Sequence, residues 1–269
     1  MKIWMILGGI VIVVAMLGWL GLQIKPKPFP PFSQRTPALQ TIPLPKGLPA
    51  PVERYYRLLY GENIPLITSA VITGHATMRM AGISFPARMR FTHVAGKDYR
   101  HYIEITFFGF PIMVANERYV DGKARMELPF GVDEGDKLNQ AANLGLWSES
   151  AWFPAIFLTD PRVHWEAVDD STALLVVPFE DKQEHYVVRF DPESGLTTWF
   201  ESMRYQDSKS KSKILWLNQS LDWGNRDGRP FFVSGALTWM NDGKPWAIFT
   251  VEDLALNVDV EEYVRQKGL

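Results

Sequence analysis

Apolar and polar residues alternate with a period of two along most of the chain from about residue 65 onward. In "FPARMRFTHV", Phe85, Phe91 and His93 fall on one face and Arg88 falls on the other. Such alternation is typical of strands with one buried face. The pattern recurs in "YRHYIEITFF", "HYVVRF", "GLTTWFESMRYQ", "KILWLNQSLDW", "RPFFVSGALTWM" and "PWAIFTVEDLAL".

Turn signals separate these segments at hairpin spacing, namely "AGKD", "VDGK", "DPESG", "GNRDG" and "NDGK". Short connections between successive strands favour antiparallel pairing in a meander. We therefore predict a mainly β protein built from a single large antiparallel curved sheet or half-barrel of about ten strands. We also expect an inserted helix and a preceding N-terminal transmembrane helix.

Two segments before and within the predicted sheet have helical spacing. In "PAPVERYYRLLYG", Val52, Tyr55 and Leu59 lie on one face of a short helix. A longer helix is predicted in "DEGDKLNQAANLGLWSESAWFPAIF". Because Pro154 has no N–H to donate to the preceding turn, we expect this helix to kink or stop near Trp152 and then restart.

The N-terminal segment has 22 consecutive residues without a formal charge, between Lys2 and Lys25. At about 1.5 Å per residue, a helix of this length crosses the hydrocarbon core of a bilayer. A cleaved signal peptide is the alternative, but the apolar stretch is long for one and lacks a small-x-small cleavage site. We predict an uncleaved anchor at residues 1–24, with the N-terminus in the cytoplasm and the domain outside it.

Residues 25–48 are rich in proline and are predicted to form a semi-rigid spacer between the anchor and the domain. The β-rich soluble domain is predicted to occupy residues 49–269. The net charge of −2 provides no basic field for nucleic acid, which we do not expect as a partner. The absence of cysteine excludes disulfides and thiolate chemistry.

The histidines and carboxylates show no recognised catalytic or metal-binding motif. None of the five histidines forms an i, i+4 pair with another, and every one lies in a predicted strand. His164 and Glu166 would share a strand face, and with Glu149 they form an alternative polar site. We assign no catalytic residue, no metal ligand and no cofactor.

Aromatic residues concentrate around the predicted helix break, where Trp147, Trp152, Phe153 and Phe157 accompany Pro154. Together they have more apolar surface than one face of a lone helix presents to a sheet. We predict that these four aromatic residues line a ligand cavity or plug a curved sheet. Trp152 and Phe153 should face the sheet, with Glu149 at the solvent side or bonded to a strand arginine.

Five segments stand out in the order "GLPAPVERYYRLLYG", "ERYVDGKARMEL", "ESAWFPAIFL", "VHWEAVDDSTA" and "WFESMRYQD". Together they resemble an uncharacterised bacterial family of membrane-anchored proteins, a domain of unknown function. The resemblance covers roughly residues 47–263 and implies a bacterial envelope protein without a known catalytic residue.

The predicted architecture also resembles the half-barrels of lipoprotein-carrier (Lol-type) families, which hold acyl chains on a concave apolar face. This resemblance implies a lipid-like ligand. Our leading hypothesis is a membrane-tethered, non-catalytic envelope protein that binds a lipid-like or apolar ligand in a β half-barrel. The alternatives are an envelope scaffold or assembly factor that holds a protein partner, and a hydrolase of envelope material.

Overall fold

The computed structural model describes residues 2–266. Its helices are few and mostly short, and strands form the larger part of the fold. The helices are α1 (Lys2–Gln23), α2 (Ala50–Tyr60), α3 (Asp136–Glu149), a 3-10 turn (Ser150–Trp152), α4 (Ile156–Thr159) and α5 (Glu261–Arg265).

The alternating segments of the sequence all form strands, and a short pair of further strands lies near α2. The strands are β1 (Thr41–Pro43), β2 (Asn63–Pro65), β3 (Ser69–Met80), β4 (Ile83–Val94), β5 (Asp98–Phe107), β6 (Phe110–Val120), β7 (Lys123–Leu128), β8 (Gly131–Glu134), β9 (His164–Ala167), β10 (Thr172–Phe179), β11 (Lys182–Phe190), β12 (Thr197–Arg204), β13 (Ile214–Arg226), β14 (Arg229–Trp239) and β15 (Pro245–Leu256).

Thirteen of these strands form one antiparallel sheet, and β1 pairs with β2 in a separate ribbon. The sheet contains two meanders, β3–β8 and β9–β15, which meet where β3 pairs with β15. The sheet order leaves β8 and β9 as its two edges, so it does not close into a barrel. The predicted mainly β fold with one large open sheet is confirmed, although the sheet has thirteen strands because short, weakly alternating edge segments join it.

The chain from α3 to α4, which we call the crossover (136–159), connects one edge strand of the sheet to the other. Helix α3 contacts β6, β7 and β8 in the first meander and β10 and β12 in the second. The 3-10 turn contacts β14. A short segment reaches strands of both meanders because it lies across the concave face of the curved sheet.

Helix α2 supports the crossover from the N-terminal side. Its buried face is formed by Val52, Tyr55, Tyr56 and Leu59, as the helical spacing predicts. The hydroxyl of Tyr56 donates a hydrogen bond to the carbonyl of Pro154 at 2.9 Å. The helix therefore contacts the backbone of the crossover directly at its break.

The proline-rich segment lies along the outer face of the sheet. Phe29 packs under the guanidinium of Arg88, whose carbon lies 4.4 Å from the ring centre. Arg90 donates a hydrogen bond to the carbonyl of Pro30 at 2.9 Å. Strand β1, which lies inside the range predicted as spacer, pairs with β2 of the domain. The segment is therefore held by its own domain at several points.

Helix α1 has the length and composition to span a membrane over Trp4–Gln23. Its C-terminal end contacts the turn between β5 and β6, where the N–H of Phe108 donates to the carbonyl of Gly21 at 2.9 Å. The side chains of Phe110 and Ile112 beside this turn are 74% and 55% exposed. An apolar end of the sheet thus adjoins the end of the apolar helix.

Candidate functional site

The crossover breaks where the sequence predicts. Helix α3 ends at Glu149, a 3-10 turn follows, and α4 begins at Ile156, two residues after Pro154. Within the turn, Ser150 donates a hydrogen bond from its hydroxyl to the carbonyl of Leu146 at 2.9 Å. The missing N–H of Pro154 prevents continuation of the α-helical ladder, so the chain changes direction and lays its aromatic residues against the sheet.

Trp152 and Phe153 both face the sheet, as predicted. The Trp152 ring stacks with Phe232 of β14, with centroids 5.9 Å apart, and lies 6.2 Å from Phe91 of β4. The Phe153 ring meets His93 of β4 edge to face at 5.4 Å. The two residues therefore contact different parts of the sheet.

The four aromatic residues predicted to line a cavity do not share one surface. Trp152 borders a cavity between the crossover and the sheet. Trp147 borders a separate depression beside Asp98, and its ring packs against Phe157 at 6.4 Å. Phe153 and Phe157, each 1% exposed, belong to the hydrophobic core.

Two small cavities meet at Glu149. The first, of about 40 Å³, has Trp152 and Ala151 on the crossover side. Its sheet side consists of apolar residues of the second meander together with Asn218, Gln219 and Ser220 of β13. The second, of about 60 Å³, includes both apolar and charged side chains. The sheet wall of the first includes Phe200, Phe232, Leu237 and Phe249, and the second is lined by residues that include His101, Glu117, Arg204, Trp216 and Trp246.

Glu149 lies inside the protein against two histidines of the first meander. Its Oε2 atom is 2.6 Å from Nε2 of His101 and 3.1 Å from Nε2 of His93. The side chain of Glu149 is 15% exposed. The expectation that Glu149 would meet solvent or a strand arginine is wrong, because the end of α3 points this residue toward β4 and β5.

The second ring nitrogen of His101 also faces a carboxylate. Its Nδ1 lies 3.8 Å from Oε2 of Glu117 on β6. The hydroxyl of Tyr99 donates a hydrogen bond to the other oxygen of Glu117 at 2.5 Å. The Tyr99 ring also stacks on the His101 ring with centroids 4.0 Å apart, so the orientation of His101 is fixed from two directions.

Burial and ion pairing act in opposite directions on the pKa values of this cluster. Burial alone would lower the pKa of His101, but Glu149 and Glu117 outweigh it and raise the pKa to about 9. Burial would raise the pKa of Glu149, but His101 and His93 bring it to about 2. Burial lowers the pKa of His93. At neutral pH His101 is therefore charged, Glu149 is an anion and His93 is neutral.

His93 is fully buried, and neither of its ring nitrogens has an aligned hydrogen-bond partner among residues 2–266. Its Nε2 approaches Glu149 at 3.1 Å without the alignment of a hydrogen bond. Buried polar groups are nearly always hydrogen-bonded, so such an exception marks a site to be explained. This histidine is the least satisfied polar side chain of the cluster.

His164 and Glu166, the other members of the alternative polar site, lie elsewhere. They occupy the edge strand β9, where Nε2 of His164 is 3.3 Å from Oε1 of Glu166. Their side chains are about half exposed. This is a hydrogen-bonded pair on a strand surface, and the partners of Glu149 are His93 and His101 instead.

One feature of the sequence indicates the cluster although it matches no catalytic or metal-binding motif. His93 occurs on the apolar face of β4, next to Phe91, where a polar residue is expected to need a partner. Its neighbours become known only through the register of β4 with β5, in which Phe91 faces His101 and His93 faces Tyr99. The approach of α3 then adds Glu149.

Comparison with solved structures gives distant similarities. A LolA superfamily protein from Nitrosomonas europaea is 11% identical over 82% of this chain and 99% of its own, with a TM-score of 0.48. A DUF1329 family protein from Desulfovibrio piger is 12% identical over 74% and 90%, with a TM-score of 0.40. A domain named for outer membrane lipoprotein sorting, from Vibrio parahaemolyticus, is 13% identical over 72% and 88%, with a TM-score of 0.41.

A search of the curated proteins finds no match. A family model, described as a family of unknown function, matches residues 38–251, which include the spacer's end, the first meander, the whole crossover and the second meander as far as Val251 in β15. This match confirms the resemblance to an uncharacterised family. The chain belongs to the family of unknown function DUF6544.

Proposed function

We propose that this protein is a membrane-tethered envelope protein that binds a lipid-like or other apolar ligand between the crossover and the second meander. The observation that carries the proposal is the apolar cavity bordered by Trp152 on one side and by Phe200, Phe232 and Phe249 on the other. In this proposal the protein binds its ligand without transforming it.

The sheet surface next to this cavity supports the proposal. Helix α3 covers strands of the first meander and also β10 and β12, whereas β14 is contacted by helix α2 and by the short 3-10 turn. Several large apolar side chains of the second meander are only partly buried. They include Trp223, Phe231, Phe232, Leu237 and Trp246.

The cavity is small in this state. Its volume of about 40 Å³ is far below the several hundred Å³ of pockets that enclose a drug-sized ligand. An acyl chain would therefore require Trp152 and the 3-10 turn to move away from Phe232. The helix break at Pro154 is a natural place for this movement, because no continuous α-helical hydrogen-bond ladder crosses it.

The apolar end of the sheet supports tethering to a membrane. Helix α1 meets the domain at the β5–β6 turn, and Phe110 and Ile112 are exposed beside it. A helix that crosses the bilayer would bring these side chains to the level of the lipid headgroups, where exposed apolar residues are stabilised. We propose that the N-terminus is cytoplasmic and that the domain is extracytoplasmic.

The test is binding of a fluorescent apolar probe, N-phenylnaphthylamine, to the detergent-exchanged full-length protein, with displacement by a long-chain fatty acid. Lipid extracted from the purified protein is identified by mass spectrometry in parallel. We expect saturable, displaceable binding to the wild type. Ser220→Trp, which fills the cavity from β13, should weaken it at least about tenfold, which is about 1.4 kcal/mol.

Leu221→Trp is the matched control, because Leu221 is the next residue on β13 and is 46% exposed. It should bind the probe as the wild type does. Equal binding by the wild type and Ser220→Trp would place the probe elsewhere. The proposal is wrong if the wild type contains no co-purifying lipid and also fails to bind the probe.

A further inference from the structure

Three potential metal ligands converge inside the protein from separate elements. His93 comes from β4, His101 from β5 and Glu149 from the last residue of α3. One donor atom from each lies within 4.8 Å of the other two. We propose that His93, His101 and Glu149 bind one divalent transition-metal cation of the Zn²⁺ class.

The distances suit a cation after small side-chain rotations. Zn²⁺ binds imidazole nitrogen and carboxylate oxygen at about 2.0 to 2.2 Å, which separates the donors of a tetrahedral site by about 3.3 Å. Here Oε2 of Glu149 is 3.1 Å from His93 and 2.6 Å from His101. The donor nitrogens of His93 and His101 lie within 4.8 Å of each other. Coordination would move Glu149 and His101 slightly apart, would draw His93 toward them, and would release the Nε2 proton of His101 to solvent, because only a deprotonated ring nitrogen binds a metal.

The unsatisfied state of His93 is an independent indication of a ligand. Both of its ring nitrogens are buried and lack an aligned hydrogen-bond partner among the described residues. A neutral imidazole with a free lone pair is the form that coordinates a metal. A cation between His93 and Glu149 would therefore give a ring nitrogen of His93 the aligned partner that it lacks in this arrangement.

Glu117 and Tyr99 provide the outer support that metal-binding histidines usually have. Metal-binding histidines commonly place the second ring nitrogen against a carboxylate, which fixes the ring. Nδ1 of His101 faces Glu117 at 3.8 Å, and Glu117 accepts a hydrogen bond from Tyr99 at 2.5 Å. The Glu117 carboxylate thus lies beside the ring nitrogen of His101 that would face away from the metal, at a separation longer than a hydrogen bond.

The donor types and charges select the class of cation. Mg²⁺ and Ca²⁺ prefer oxygen donors alone, whereas two imidazoles and one carboxylate suit Zn²⁺ and its first-row neighbours. The carboxylates of Glu149 and Glu117 would balance a charge of +2. Three protein ligands leave at least one position for water or another oxygen donor, and the two cavities beside Glu149 provide the space for it.

Cobalt titration tests the site directly in the full-length, detergent-solubilised protein after treatment with a chelator. Co²⁺ replaces Zn²⁺ in such sites and gives visible absorption bands. We expect one equivalent per chain, bleached by competing Zn²⁺. The metal content of the untreated protein is measured by mass spectrometry of the elements. A wild-type protein that binds no equivalent of Co²⁺ or Zn²⁺ would overturn the proposal.

Variants separate this site from adventitious binding. His93→Gln and Glu149→Gln should each weaken Zn²⁺ binding more than about 100-fold, and Glu117→Gln should weaken it about 10- to 100-fold through His101. His164→Gln is the matched control, because His164 also lies beside a glutamate but on an exposed edge. Far-UV circular dichroism establishes that each variant is folded. Loss of binding in His164→Gln alone, with His93→Gln unaffected, would contradict the proposal.

Discussion

Trp152 and Phe153 are adjacent in the sequence but have different surroundings. Phe153 is 1% exposed and is enclosed by the core, where its ring contacts His93. Trp152 is 7% exposed, borders the cavity and stacks with Phe232, which borders the same cavity. Truncation of Phe153 leaves a new void, whereas truncation of Trp152 enlarges a cavity that is already present.

We therefore expect Phe153→Ala to lower the free energy of unfolding by about 3 to 5 kcal/mol. Trp152→Ala should lower it distinctly less, by about 2 kcal/mol, because solvent or detergent can fill part of the enlarged space. Urea denaturation of the detergent-solubilised protein, followed by circular dichroism, measures both changes. Equal losses of unfolding free energy would indicate that Trp152 contributes to stability as an ordinary core residue.

The residue scale also shows what the sequence could not provide. The alternation of "FPARMRFTHV" predicts that His93 faces inward. It does not predict the partner, because His101 is eight residues away and Glu149 is 56 residues away, and their approach depends on strand register and on the path of α3. Proline chemistry, by contrast, is local, and the break near Trp152 was therefore predictable.

At the scale of elements, α5 shows how a short helix is held in place. Its five residues are too few to be stable alone. Arg265 donates hydrogen bonds to Asp121 at 2.9 Å and to the buried Asp98 at 3.3 Å. On the other side, the guanidinium of Arg100 lies 4.7 Å from the centre of the Tyr263 ring.

The docking of α5 should weaken at acid pH. The hydrogen bond from Arg265 lowers the pKa of Asp121, so the fold favours its carboxylate form. A lowered pKa stabilises the docked helix above the ordinary pKa of aspartate, and this contribution is lost as the pH falls through the lowered value. We expect amide hydrogen exchange in α5, corrected for its intrinsic pH dependence, to become faster below about pH 4.

A variant separates this effect from general acid unfolding. Asp121→Asn should show faster exchange in α5 already at pH 6, by up to about fivefold, without a change in β3 or β15. Asp169→Asn is the control, because Asp169 also has a lowered pKa but lies in the turn before β10. Unchanged exchange in Asp121→Asn would show that Asp98 and Arg100 hold the helix without it.

At the scale of the whole molecule, the pairing of β3 with β15 unites two meanders of successive hairpins. Gly74 of β3 lies opposite Val251, next to an irregularity in register between Val251 and Asp253. A Cβ atom on Gly74 would lie 2.0 Å from the carbonyl oxygen of Thr250. A side chain at this position would therefore force the two central strands apart.

We expect Gly74→Ala to lower the free energy of unfolding by about 2 kcal/mol or more, because the backbone must shift in the middle of the sheet. Gly145→Ala is the contrasting substitution, since the nearest atom to its added Cβ is 3.6 Å away and the residue lies inside α3. It should be neutral or should stabilise the protein by up to about 1 kcal/mol. Thermal unfolding of both variants, followed by circular dichroism, measures the difference.

The central pairing also limits what the sequence can predict about the whole molecule. Hairpin turns such as "NDGK" specify pairing between neighbouring strands, so the two meanders follow from local signals. The contact of β3 with β15 joins residues about 170 positions apart, such as Thr77 and Ile248, and no local signal encodes it. The short edge strand β8 was missed because its four residues are too few to show alternation, whereas β9 contains His164 and Glu166, which were expected to share a strand face.

The crossover joins the two edge strands of the open sheet, so its length limits how far apart these strands can lie. The sheet cannot flatten or curl further unless the crossover changes its length or position. A ligand that displaces the crossover should therefore change the separation of β8 and β9, far from the cavity itself. Spin labels attached to cysteines in place of Glu134 and Glu166 would measure the distance between the two edge strands. A change in this distance would show that the ligand is bound.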